Sequence, residues 1–197
     1  MTQALLIIDV QNDFCPGGAL AVDGGDEVVP VINAMIPDFQ TVLYTQDWHP
    51  TDHMSFADNH AGADPFSITQ MPYGPQVLWP RHCEQGTDGA AFHPDLNLAG
   101  DLVIRKGFRP QIDSYSALFE NDRTTPTGLT GYLRDRGITG LTLAGLATDF
   151  CVAYSAIDAA GQGFDVTVAM SATRAIDLDG SLAKSRADMI DAGVTLA

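Results

Sequence analysis

The hydrophobic positions of this chain fall into short, nearly unbroken runs separated by stretches with helical spacing. The runs are ALLII, TVLYT, DLVIR, GLTLAG and FDVTVAM, with a weaker VTLA at the C-terminal end. Each has the length of a strand, and their near-continuous apolar character suits central parallel strands, which are buried on both faces. Between several of them lie helix-like patterns: DEVVPVINAMI, TGLTGYLRDRG, TDFCVAYSAIDAAGQG and DGSLAKSRADMIDAG. The last three close on Gly137, Gly161 and Gly193, as helices commonly do. Alternation of this kind implies right-handed crossovers and an α/β fold. The expectation is a doubly wound, mainly parallel six-stranded sheet with helices on both faces, a three-layer α/β/α arrangement.

One region refuses the pattern. Residues 46–100 are rich in Pro, Asp, His and Gly and show little periodicity. A loop this long inside a compact domain is functional or disordered. Trp48, Phe56, Phe66, Tyr73, Trp79 and Phe92 argue against disorder, because disordered segments are poor in aromatics. With no internal repeat and no linker, the expected organisation is one domain over residues 1–197.

Composition narrows the function. The 197 residues, 45% hydrophobic, leave room for a real core. A net charge of −15 with only ten Lys and Arg excludes a surface built for nucleic acid or anionic membrane, since both need clustered cations. No segment approaches the roughly 18 uninterrupted apolar residues of a membrane helix, and the N-terminal run is cut by Asp9 without a basic flank, so it reads as a strand and not a leader. Three widely spaced cysteines, Cys15, Cys83 and Cys151, suit reduced thiols in a cytoplasmic protein better than a disulfide framework.

In doubly wound sheets the ligand site lies at the carboxyl ends of the strands. Asp9 follows ALLII, Asp47 follows TVLYTQ, Lys106 follows DLVIR, and Cys151 sits just after GLTLAGLA. With Thr148 or Asp149 as the N-cap, Cys151 falls in the first turn of a helix, where unpaired N–H groups and the helix dipole favour a thiolate. Lys106 nearby would lower the thiol pKa further, and Asp9 would accept its proton. On the residues alone, a small buried thiol and a nucleophile fit Cys151 equally well. A second constellation, QDWHPTDHMSF followed by WPRHC, gathers Asp47, His49, His53 and His82. One carboxylate with two or three imidazoles suits a divalent metal with positions left open for water or substrate. His60 and His93 read as ordinary hydrogen-bonded histidines. There is no GxSxG, no P-loop and no GxGxxG after a strand.

The segments ALLIIDVQNDFCPGGALAV, YTQDWHPTDHMSFA, LWPRHCEQGTDGAAFHP, VIRKGFRPQIDSYSALFEN and LAGLATDFCV together resemble the nicotinamidase/pyrazinamidase group of the isochorismatase-like cysteine hydrolases, in that family's order over essentially the whole chain. The resemblance implies an isochorismatase-like fold, a triad of Asp9, Lys106 and Cys151, and one divalent metal per chain held by Asp47, His49 and His82. Zinc is the first candidate, with iron or manganese as alternatives, and His53 matches a further ligand used by some members. It implies a ring site of Phe14 and Trp79, with Leu20, Tyr115, Leu146 and Ala147 around it. It also implies a cis Leu146–Ala147 peptide, with an oxyanion hole from the N–H groups of Ala147 and Cys151. The activity implied is hydrolysis of nicotinamide, and of pyrazinamide, to the acid and ammonia through a thioester, in NAD salvage. The partner is a small molecule, with no nucleic acid and no membrane, and a homo-oligomer left open. Phe150 stands where Tyr or His is common in that family. Two other readings stay open: a relative acting on carbamoyl or ureido compounds, and a binding protein with a structural metal.

Overall fold

The computed structural model describes residues 2–197. In chain order its elements are β1 (Gln3–Ile8), α1 (Val28–Met35), β2 (Val42–Asp47), β3 (Ile68–Met71), β4 (Gly74–Val77), β5 (Leu102–Lys106), α2 (Leu129–Asp135), β6 (Gly140–Leu146), α3 (Ala153–Gly161), β7 (Asp165–Arg174), α4 (Ser181–Asp191) and β8 (Thr195–Leu196). Six strands form one sheet in the order β5-β2-β1-β6-β7-β8, and every neighbouring pair is parallel. The sheet is the one the apolar runs predict, down to the short strand in VTLA. No helix among the described residues is long and apolar enough to cross a membrane.

The sheet has a reversal that places the site. The step from β1 to β2 runs one way along the sheet, while β5 to β6, β6 to β7 and β7 to β8 run the other. Right-handed crossovers then put α1 on one face and α2, α3 and α4 on the other. The reversal lies between β1 and β6, the strands that lead into Asp9 and Cys151. Such a switch point opens a crevice beyond the strand ends.

The centre of the sheet supplies the rigidity. Ala4, Leu5, Leu6, Ile7 and Ile8 of β1 are wholly buried, as are Leu43, Leu141 and Leu143 beside them. Each such Leu or Ile contributes about 1.5–3 kcal/mol relative to an exposed position. Gly145, at φ +117°, lets the end of β6 close on β1: a Cβ there would meet the Ile8 carbonyl oxygen at 2.0 Å. The register between β6 and β7 shifts at the same place.

Two sequence expectations need correction. The aperiodic region contains a hairpin, β3 paired antiparallel with β4, whose four-residue strands are too short and too polar to give a clear alternation. It packs a separate small cluster of Ala57, Met71 and Leu78. The helix start at Cys151 is also capped differently. Ala147 occupies the N-cap position, and residues 148–152 form a π-type turn leading into α3, with the Ala147 carbonyl accepting from Val152 N–H at 3.1 Å. Turns of this kind recur at functional sites.

Candidate active site

Four strand ends converge on one buried cluster. Lys106, the last residue of β5, is 1% exposed. Its Nζ lies 2.8 Å from Asp9 Oδ2 and forms an ion pair with Asp47. It also donates to the Ser114 carbonyl at 2.9 Å and lies 3.4 Å from Cys151 Sγ. Asp9 sits just past β1 at a left-handed φ of 49°, which carries its carboxylate toward β2. Thr45 Oγ1 donates to Asp9 Oδ1 at 2.6 Å, leaving the Lys106 ammonium as the neighbour and donor of Oδ2. That oxygen is open to a proton. Asp9, Asp47 and Cys151 present side-chain atoms within 4.8 Å of one another.

Electrostatics separates the two carboxylates. Burial raises the Asp9 carboxyl to about 6, with Lys106 opposing and the Asp47 charge adding to the rise. Burial also works against Asp47, but Lys106 and His49 outweigh it and hold that carboxyl well below the usual range. Burial works against the Lys106 charge too, yet Asp47 and Asp9 keep the ammonium protonated far above its ordinary range. The thiolate expected at the helix start is corrected here. Burial pushes the Cys151 thiol well above its usual value, and the Asp9 and Asp47 charges add to this against Lys106. A dipole at one turn does not outweigh desolvation plus two carboxylates. Burial thus favours the thiol over the thiolate at Cys151.

The metal-ligand expectation meets a specific geometry. Asp47, His49 and His82 present ligand atoms within 4.8 Å of one another, all buried. His49 Nδ1 lies 2.8 Å from the Gly107 carbonyl and His82 Nδ1 lies 2.7 Å from the Pro80 carbonyl. Each ring thereby donates through Nδ1 and keeps an Nε2 lone pair, the arrangement that orients a metal-binding imidazole. Gly107, at φ +65°, leaves room for this: a Cβ there would meet His49 Cε1 at 2.3 Å. Lys106 occupies Asp47 Oδ1, so Oδ2, 3.6 Å from His49 Nε2, faces the imidazoles. Burial works against His49 taking a proton, but Asp47 turns the balance upward. His82 falls to about 4 through burial and the neighbouring His49. The donor set fits a divalent metal. His53 is placed differently: it groups with His49 and Asp113, its Nδ1 is 2.7 Å from Ser55 Oγ, and burial with His49 lowers it to about 4.

Above these groups lies a narrow cavity lined by Phe14, Leu20, Trp79 and Tyr115 together with Ala147, Cys151, Asp47, His49 and His82. Phe150, Ile176 and Asp113 also line it. Phe150 stands edge-on to Trp79, ring centroids 4.9 Å apart, so the residue that differs from the family pattern adds apolar wall. Leu146 is the exception among the expected ring contacts. Its side chain is fully buried with Cδ1 beside Gly25, and it does not line the cavity. The Leu146–Ala147 peptide is cis, as the resemblance implies.

Asp149 explains why the loop after β7 reaches the cavity. Instead of capping the helix, its carboxylate accepts from Ile176 N–H at 3.0 Å, from Asp177 N–H at 2.8 Å and from the Ser181 hydroxyl. Asp149→Ala leaves those partly buried donors without their acceptor and is expected to cost about 1–3 kcal/mol, read as a lower urea midpoint at unchanged slope. His60 and His93 are hydrogen-bonded as expected, His60 to the Met54 carbonyl at 2.7 Å and His93 to Asp95 N–H at 3.2 Å.

Residues 3–196 match the isochorismatase domain family. The chain is 54% identical to a nicotinamidase from Acinetobacter baylyi over 192 residues, 97% of this chain and 90% of that one. It is 44% identical to a nicotinamidase from Escherichia coli, covering 98% and 93%. Among solved structures it superposes on a nicotinamidase/pyrazinamidase from Acinetobacter baumanii with a TM-score of 0.98, 53% identity and coverage of 99% and 95%. A protein from L. infantum in complex with nicotinate gives 0.87 at 40% identity, covering 100% and 92%. A pyrazinamidase of Pyrococcus horikoshii in complex with zinc gives 0.80 at 32%, covering 100% and 99%.

Proposed function

The chain belongs to the isochorismatase family, among its nicotinamidases, and we propose that it hydrolyses nicotinamide, and pyrazinamide, to the ring acid and ammonia through a thioester on Cys151. The observation that carries this reading is the contact of Lys106 with both Asp9 and Cys151, the sulfur of which lies at an aromatic-walled cavity. The likeness to a chain solved with nicotinate supports the ring as ligand.

The chain's groups divide the work. The ring lies between Phe14 and Trp79, with Leu20 and Tyr115 closing the wall. Asp9 Oδ2 takes the thiol proton as Cys151 Sγ bonds to the amide carbon, and Lys106 balances the charge that moves between them. The N–H groups of Ala147 and Cys151 receive the oxyanion. The Ala147 carbonyl, already accepting from Phe150 and Val152 N–H, fixes the orientation of that backbone. Asp9 passes its proton to the departing nitrogen as the C–N bond breaks, giving ammonia. It then takes a proton from water as the water oxygen bonds to the thioester carbon, and returns that proton to the sulfur as the C–S bond breaks, restoring the thiol and releasing the ring acid. An acid near 6 suits both halves of this cycle. Held by Asp47, His49 and His82, a divalent metal, zinc first, would supply a Lewis-acid anchor for the ring nitrogen. The nicotinate formed would feed NAD salvage.

Ammonia release measured across nicotinamide, pyrazinamide and an N-carbamoyl amino acid tests the reading. Turnover of the two aromatic amides and not of the carbamoyl compound is expected; the reverse order overturns the ring assignment. The same assay gives a pH prediction. Asp9 must be ionised to receive the thiol proton, and burial raises it to about 6. So kcat/KM should be flat above that pH and fall about tenfold per unit below it.

A further inference from the structure

The β3–β4 hairpin lies outside the main sheet, yet its Gln76 is 2% exposed, as buried as the core. A carboxamide at that depth needs partners for two donors and an acceptor oxygen. Gln76 Nε2 lies 2.7 Å from Asp113 Oδ2, 2.9 Å from Tyr115 Oη and 2.8 Å from the Val77 carbonyl. Its Oε1 accepts from Asn121 Nδ2 at 3.1 Å and from Tyr73 Oη at 3.2 Å. The network continues into the cavity wall. Trp79 Nε1 donates to Tyr115 Oη at 3.0 Å, and Tyr115 N–H donates to Asn121 Oδ1 at 3.0 Å. Asp113, Tyr115 and Trp79 all line the cavity, whereas Gln76 does not.

We propose that Gln76 is a positioning residue for the cavity: it holds the edges of Tyr115 and Trp79 and turns the Asp113 carboxylate aside, and so sets affinity for the ring without touching it. The inference rests on the ring-binding reading above. Without the carboxamide, Asp113 Oδ2 loses its side-chain donor and Asn121 its acceptor. A carboxylate short of a donor turns toward the nearest polar space, here the cavity an apolar ring must enter. The reacting groups hang mainly on other contacts, Asp9 on Thr45 and Lys106 on Asp9 and Asp47; the link to this network is the Ser114 carbonyl that Lys106 also meets, through Ser114 N–H donating to Asp113 Oδ1 at 2.8 Å. Loss of Gln76 should therefore reach binding before chemistry.

The test is steady-state hydrolysis of nicotinamide by wild type, Gln76→Met, Tyr115→Phe and the double variant. Gln76→Met keeps length and removes every polar contact. KM is expected to rise about tenfold with kcat within about twofold, and the Kd for nicotinate by calorimetry should rise in parallel. In the Tyr115→Phe background the same change should cost clearly less, because the two act through one hydroxyl. Gln76→Leu, which also removes every side-chain donor and adds no charge beside Asp113, should show the same KM rise and serves if Gln76→Met does not fold. An unchanged KM overturns the proposal, as does a fall in kcat that tracks thermal stability with additive effects in the double variant. Wild type measured alongside separates the two failures. No ammonia from wild type overturns the ring reading, while normal wild-type turnover with an unchanged variant KM overturns the role of Gln76 alone.

Discussion

Cys151→Ala is expected to lower ammonia release from nicotinamide by at least about 10⁴-fold, because removing a nucleophile removes the covalent route altogether and leaves only binding and the oxyanion donors. The fold should survive the change. Cys151 sits at the start of α3, in a turn whose backbone bonds involve Ala147, Phe150 and Val152 but not the sulfur. Lys106 keeps Asp9, Asp47 and the Ser114 carbonyl as partners when the sulfur is gone. A melting temperature within a few degrees of wild type, with turnover lost, is the expected pair of results. Cys151→Ser adds a sharper arm. A hydroxyl is far harder to ionise than a thiol, and Asp9 at about 6 is too weak a base to compensate, so the serine variant should be nearly as inactive as the alanine one. Normal turnover in either variant would sink the thioester mechanism.

Much of this arrangement was legible in the chain. The sheet could be read because β1, β2 and β6 are buried on both faces and so leave unbroken apolar runs such as ALLII and GLTLAG. Asp9, Asp47 and Lys106 could be read because each stands at the end of such a run, and Cys151 because it follows GLTLAGLA within about one turn. The β3–β4 hairpin could not. Ile68, at its start, is 71% exposed, so no hydrophobic alternation marks it. Nor could Gln76, whose importance lies in partners 37 to 45 residues away. Asp149 misled for a related reason. An Asp before a helix is an ordinary cap, and only the tertiary approach of Ile176 and Asp177 draws its carboxylate away. The direction of the Cys151 shift was misjudged because position in a helix is visible in sequence, whereas the depth of burial beside two carboxylates is not.

Lys106→Met should be the most damaging of these changes to stability. The lysine is fully buried between Asp9 and Asp47, and its removal leaves two carboxylates facing each other without a cation. Breaking a buried pair by deleting one partner costs about 3–5 kcal/mol, and here one ammonium serves two acids. The cost should depend on pH in a definite sense, best measured on protein stripped of metal by chelation. Without the ammonium that opposes its rise, the Asp9 carboxyl moves further above the usual carboxylate range. A carboxyl raised on folding binds its proton more tightly in the folded state than in the unfolded one, so the folded state gains relative stability as pH falls through that raised pKa. The gap between wild type and Lys106→Met should thus be widest near pH 8 and narrow toward pH 5, as one acid of the pair becomes neutral. Urea unfolding of both proteins at several pH values measures it. A gap that is constant across that range, or that widens in acid, would show that Lys106 does not hold the two carboxylates ionised.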